Sequence, residues 1–407
     1  MENDLSLDSR QSKFDVVRNR SVTTSLIYVL FFILPFVQSI NDTDLVSLIK
    51  ARVLPSEVSL FASILRWVIL CYIFLYSFLR LNKSVLSNRW FWFLPLFYLF
   101  QFFYALFTYT DVTRYLTLVV ESISIPLFCV HILKRRELNK FVLIWMILIL
   151  VSFSVLFNID TFLSGFRFLG FVNNPNLYGS VALFWLTILL MNRNNDRLKR
   201  LTSVLILITA ITIILTASRN ALIGLVIVLL FTYGSDFKKV LLLFFIFLLL
   251  SFIFSAVFLE FPELARLGNI GGAVSDSGRS KIWEVAWDLI KKSPYWGYGM
   301  NASVELVNTG NLHNCYLFYL LTMGTIYTGI ALSFLGLFLT KLFIYRVRVP
   351  AVLVGFIFAF VVMNFGEDYF VGPGSSVFVY FLISVGLVMH FLEKGTTTSN
   401  RLKNLVS

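Results

Sequence analysis

The side chains best able to do chemistry in this chain are three arginines, a histidine and an asparagine: Arg167, Arg219, Arg279, His313 and Asn314. Arginine binds phosphate through a planar fork of N–H donors, and histidine is the ordinary side chain that can take a proton near neutral pH. Arg279 opens a segment, Arg279 to Lys292, whose residues split on a helical wheel. Ser280, Lys281, Glu284, Asp288, Lys291 and Lys292 share one side, and Ile282, Trp283, Val285, Ala286, Trp287, Leu289 and Ile290 share the other. Arg279 falls on the apolar arc at the helix N-terminus, where exposed N–H groups and the helix dipole add to its charge. Two readings are open: it holds an anion, or it pairs with a carboxylate such as Glu284 or Asp276.

Arginines converging beside a histidine suit a pyrophosphate ligand and a proton-accepting base, the needs of glycosyl transfer from a lipid diphosphate. Displacement from the opposite face would invert the anomeric centre, with guanidinium groups supplying the charge that a metal supplies elsewhere. No cofactor is called for, and the three cysteines, Cys71, Cys129 and Cys315, have neither metal-type nor disulfide-framework spacing. His131 and His390 fall at the ends of apolar runs away from this set and read as capping or interfacial residues.

The elements that must position these residues are membrane helices. Of 407 residues 58% are hydrophobic and 14% charged, and the mean hydropathy is +0.82, which excludes an ordinary soluble enzyme. Twelve apolar windows are long enough to span a bilayer, near 21–40, 58–79, 90–108, 112–132, 140–157, 176–191, 201–217, 220–234, 239–259, 314–340, 349–366 and 375–392. Lys and Arg alternate between the intervening segments, with 23 of the 34 in every second one. By the positive-inside rule both termini are cytoplasmic, and the net charge of +12 reflects topology, with no nucleic-acid partner. The expected plan is a cytoplasmic tail (1–20), nine spans (21–259), a large outer loop (260–312) carrying the amphipathic helix, three further spans (313–392) and a second tail (393–407). The chemistry-bearing residues then gather at the outer face. Arg66, Arg114 and Glu121 lie inside apolar runs and read as an internal ion-pair set between the second and fourth spans. A transporter would be expected to show internal repeats and polar residues at mid-membrane. No repeat is present, and the candidate residues cluster at one face.

Four segments carry a family resemblance: RFLGFVNNPNLYG (Arg167 to Gly179), SRNAL (Ser218 to Leu222), GRSKIWEVAWDLIKKSPYWGYG (Gly278 to Gly299) and HNCYLFYLLTMGTIY (His313 to Tyr327). In order, spacing and placement the chain resembles the O-antigen ligase and O-antigen or exopolysaccharide polymerase superfamily of bacterial membrane glycosyltransferases. That resemblance implies an all-α polytopic membrane protein, similar to the GT-C type, in the bacterial inner (plasma) membrane with its site facing the periplasm or exterior. It implies an undecaprenyl-diphosphate-linked oligosaccharide donor, a glycan or lipid A-core acceptor and a separate chain-length regulator. Carried over by motif, Arg219 and Arg279 bind the diphosphate and His313 is the base or orients the acceptor. Arg167 and Asn314 are substrate contacts, and Gly324 helps to shape the site. One departure is Ile223, where a ligase-like spacing places leucine. The Asn-Pro-Asn segment and the compact Pro-Tyr-Trp-Gly-Tyr-Gly turn look more like polymerases, so polymerase is the first expectation and ligase the alternative.

Overall fold

The computed structural model describes residues 56–79, 89–108, 112–134, 140–163, 167–170, 174–193, 198–234, 279–308, 312–370 and 375–406. The described residues are helices joined by turns. In chain order they are α1 (Ser56–Leu79), a 3-10 turn (Arg89–Trp92), α2 (Phe93–Phe107), α3 (Val112–Lys134), α4 (Lys140–Leu163), α5 (Pro175–Met191), α6 (Lys199–Leu215) and α7 (Arg219–Tyr233). Then come α8 (Arg279–Lys292), the single turn α9 (Ala302–Glu305), α10 (Cys315–Ile344), a 3-10 turn (Arg346–Arg348), α11 (Ala351–Met363) and α12 (Ser376–Val406). Ten of the twelve apolar windows coincide with helices, while windows 21–40 and 239–259 lie outside the described residues, as do the N-terminal tail and residues 260–278. Val112–Leu133 and Cys315–Ile344 are long and apolar enough to cross a bilayer, and several shorter apolar helices accompany them. The tail expected from 393 onward continues α12 as helix to Val406.

A helix apolar on every side must be covered on every side. Helix α5 meets that condition: each residue from Leu177 to Leu190 is buried, with α6, α7, α11 and α12 packed around it. Helix α3 packs against α1, α2 and α12, and α7 lies along α11. Rings fill the interior, for example Phe184 stacked on Tyr380 at 4.3 Å and Phe360 on Phe381 at 4.2 Å.

The seventh and eighth apolar windows are joined by a very short turn. Helix α6 ends at Leu215 and α7 begins at Arg219. Ala217 between them takes φ +49°, a left-handed helix stop that is costly for a residue with a Cβ. Ser218 caps α7, its hydroxyl accepting from the Ala221 N–H at 3.4 Å. The turn is held by Arg167, whose Nε donates to the Thr216 carbonyl at 2.8 Å, while the Phe168 N–H donates to the Leu215 carbonyl at 3.1 Å.

Candidate active site

His313 sits in the short link before α10, and three neighbours fix that link. Trp283, on the inner side of α8, donates its indole N–H to the Leu312 carbonyl at 2.8 Å. The Cys315 N–H donates to the carbonyls of Asn364 and Glu367 at 3.0 and 3.3 Å. Asn314 is the N-cap of α10, its side chain accepting from the Leu317 N–H at 3.0 Å. Between these ties His313 adopts φ +50°, a strained backbone for a non-glycine residue, of the kind that persists only when its surroundings over-determine it. Its side chain is one-third exposed, and Nδ1 stands 3.4 Å from Glu367 Oε2.

Arg279 reaches the same place from α8. Its Nη1 donates to the Gly366 carbonyl at 3.0 Å, and its Nη2 stands 3.4 Å from Glu367 Oε1. The same Oε1 accepts from Asn176 Nδ2 at 2.9 Å, and Asn176 Oδ1 accepts from Arg167 Nη2 at 3.1 Å. Arg219 is the first residue of α7. The next residue, Asn220, lies so close to Gly366 that a Cβ there would collide with its amide. The N-termini of α5, α7, α8 and α10 therefore all converge on the Asn364–Glu367 turn. Each brings the positive end of a helix dipole, so the end they share favours an anion.

Residues 204–328 match the family model described as O-antigen ligase. The matched stretch is similar to the O-antigen ligase and polymerase superfamily. No curated protein and no solved structure matches the chain. The O-antigen ligase match spans Arg219, Arg279, His313, Asn314 and Gly324, and with the apolar helices it supports a membrane-embedded protein. Arg167, Asn176 and Glu367 lie outside the matched stretch.

Within the O-antigen ligase segment, Gly324 has a definite structural task. Helix α10 breaks there, with φ 70° and ψ 178°, a conformation open essentially to glycine alone. The Pro-Tyr-Trp-Gly-Tyr-Gly turn enters the break. Thr325 N–H donates to the Pro294 carbonyl at 2.7 Å, Gly299 N–H to the Thr322 carbonyl at 2.9 Å and Tyr298 N–H to the Leu321 carbonyl at 3.0 Å. The Tyr104 hydroxyl lies 2.8 Å from the carbonyls of both Trp296 and Thr322. The backbone groups freed by the break are thus paired again. The turn ties the C-terminal end of α8 to α10, which carries His313 just before its start.

Placement of the other expected residues is mixed. Arg167 is spent partly on structure, with two of its five N–H donors on Thr216 and Asn176. The Asn314 side-chain carbonyl caps α10. Pairing of Arg279 with Glu284 is corrected to pairing with Glu367: Glu284 points outward on the exposed side of α8, while Asp276 lies outside the described residues. Ala286 and Ile290 of the apolar arc are buried, but Val285 and Trp287 are exposed, because α8 rests on α10 along a narrow seam. Glu121 is fully buried on α3; the side chain of Arg66 lies outside the description. Among the described residues no three His, Cys, Asp or Glu side chains are grouped to hold a metal ion.

Glu367 itself was missed. Its signal was available: Glu367 and Asp368 are the only acids between Glu305 and Glu393, and they stand between two apolar runs. The Asp368 carboxyl is raised to about 6, first by burial and then by the Glu367 charge, with His313 and Arg114 pulling the other way.

Proposed function

We propose that the chain is a polysaccharide polymerase of the bacterial inner membrane. It transfers glycan from a polyprenyl (undecaprenyl) diphosphate carrier to the acceptor sugar of another lipid-linked repeat, at the outer face. The observation that carries this reading is the approach of Arg279 and His313 to opposite oxygens of one carboxylate, at the end of the bundle where four helix N-termini meet. An anion-binding guanidinium and a base held this closely can serve a single substrate.

In the proposed step His313 Nε2 takes the proton of the acceptor hydroxyl as its oxygen attacks the anomeric carbon. The bond from that carbon to the diphosphate oxygen breaks, and the diphosphate leaves with the electron pair and the lipid. Attack from the face opposite the leaving group inverts the centre. Arg279 and Arg219 meet the charge that develops on the departing diphosphate, and the helix N-termini reinforce them. A guanidinium that strengthens its contact in the transition state supplies the compensation a divalent ion supplies in other transferases.

The second reading is a ligase that hands the lipid-linked glycan to lipid A-core, and the description of the matching family favours it. Both use the same donor and the same chemistry up to the acceptor. A surface-glycan gel from the native host carrying His313→Ala, with membrane levels of the protein matched, separates them. Polymerase predicts one repeat on the normal acceptor. Ligase predicts long chains retained on an acid-labile lipid carrier with none on the final acceptor. An unchanged ladder removes His313 as the base and brings back a lipid-linked glycan transporter.

A further inference from the structure

Both oxygens of the Glu367 carboxylate are engaged, and by different parts of the site. Oε2 faces His313 Nδ1 at 3.4 Å, and Oε1 faces Asn176 Nδ2 at 2.9 Å and Arg279 Nη2 at 3.4 Å. The backbone repeats the pattern: the Glu367 carbonyl accepts from the Cys315 N–H, two residues past His313, and the Gly366 carbonyl accepts from Arg279 Nη1. The side chain is only 9% exposed. A carboxylate so far removed from water keeps its charge only where donors surround it, and here they come from α5, α8 and the link before α10.

We propose that Glu367 is the positioning residue of the site, accepting the Nδ1 proton of His313 so that Nε2 carries the free lone pair, while its other oxygen sets the Arg279 fork. This rests on the glycosyl-transfer reading above. A neutral imidazole carries one proton on either nitrogen, and the acceptor beside one ring nitrogen decides which. With Nδ1–H directed at Oε2, the base lone pair must lie on Nε2, on the far side of the ring from Glu367. The 3.4 Å separations are long for charge-assisted hydrogen bonds, as is common before substrate draws such groups together. Helix α5 also enters the site through this residue. Asn176 passes the position of Arg167 and the Thr216 turn on to Glu367, and α7 with Arg219 starts from that turn.

A purely structural Glu367 would hold the Asn364–Phe370 turn in place and nothing more. The distinguishing variant is Glu367→Gln. Its amide oxygen can still accept from Asn176, but its NH2 would face Nδ1 as a donor and force the proton onto Nε2, leaving the base without a lone pair toward the acceptor. The experiment is steady-state transfer by the purified full chain in lipid nanodiscs, with the host's own polyprenyl-diphosphate-linked repeat as donor. The expected result is a kcat lower by at least about 100-fold, with KM for the donor within about threefold, by analogy with other triads in which the orienting carboxylate is neutralised. Glu367→Asp keeps the acceptor and should recover much of the loss. The double variant His313→Ala/Glu367→Gln should be no slower than His313→Ala alone, because residues acting as a unit are non-additive.

A Glu367→Gln kcat within about threefold of wild type, alongside an inactive His313→Ala, overturns the positioning role and leaves the transfer reading standing. Losses that multiply in the double variant overturn it as well. Normal transfer by His313→Ala instead overturns the base and this inference with it. Should Glu367→Gln fail to fold, Glu367→Asp and Asn176→Ala carry the test. Each displaces the carboxylate without removing its charge, and each should lower kcat with KM retained; a loss confined to KM counts against the proposal.

Discussion

Arginines stand at both ends of the helix bundle, and the two ends hold them in opposite ways. At the end where α7, α8 and α10 begin, Arg167 and Arg279 donate to carbonyls, an amide oxygen and a buried carboxylate, and both are partly covered. At the other end Arg346 and Arg348 are exposed and lie over the rings of Phe343 and Tyr345, at 4.1 and 5.8 Å from the ring centres, and Arg193 lies 5.0 Å over Tyr233. An arginine over an exposed aromatic ring keeps its water and gains little, about 0.5–1 kcal/mol. An arginine forked onto fixed oxygens loses freedom but keeps N–H groups aimed in a set direction. The same side chain is therefore left in water at one end and aimed by fixed acceptors at the other. What separates the two uses is an acceptor fixed by the fold.

The largest expected effect comes from breaking the fork without removing the charge. Arg279→Lys should lower transfer by about 100-fold, within the range for losing one preorganised donor at a developing anion, while the protein still reaches the membrane at normal levels. Measured transfer by the lysine variant at the wild-type rate would remove Arg279 from the diphosphate. A middle-sized effect is expected on stability. Because the Asp368 carboxyl is raised to about 6 in the folded protein, against about 4 in an unfolded chain, the folded state binds the extra proton between those values. Stability from this residue is therefore fully present below about pH 4 and falls as pH rises to about 6. Asp368→Asn should flatten that fall in the thermal midpoint of the detergent-solubilised protein, and an unchanged slope would show that the residue titrates normally. The smallest effect belongs to the other end. Replacing Arg346 and Arg348 together by Gln should leave transfer within about twofold once membrane levels are matched. A large loss in that assay would mean that the cation–ring end also serves the reaction.

Much of this was legible in one dimension. Apolar run length located the helices of the described residues, since lipid tolerates no unpaired backbone and few charges. The period of Arg279–Lys292 showed in residue type alone, because it is a local property of a helix. Gly324 was tied to the site by resemblance, yet its reason, a break that admits the Tyr295–Gly299 turn, is a contact between distant segments. Glu367 was passed over because nothing local makes an acid between two apolar runs more than an interfacial residue.

By itself, then, the sequence determined the solvent of the chain, where its helices lie, and which guanidinium and imidazole groups stand at helix starts. Tertiary structure alone decided that four helix N-termini meet at one turn and that His313, Arg279 and Asn176 share one buried carboxylate. The physical reason is range. Hydropathy, periodicity and capping act within a few residues, whereas the ties from Glu367 to Asn176, Arg279 and His313 cross 191, 88 and 54 positions of chain and exist only once the helices between them have packed.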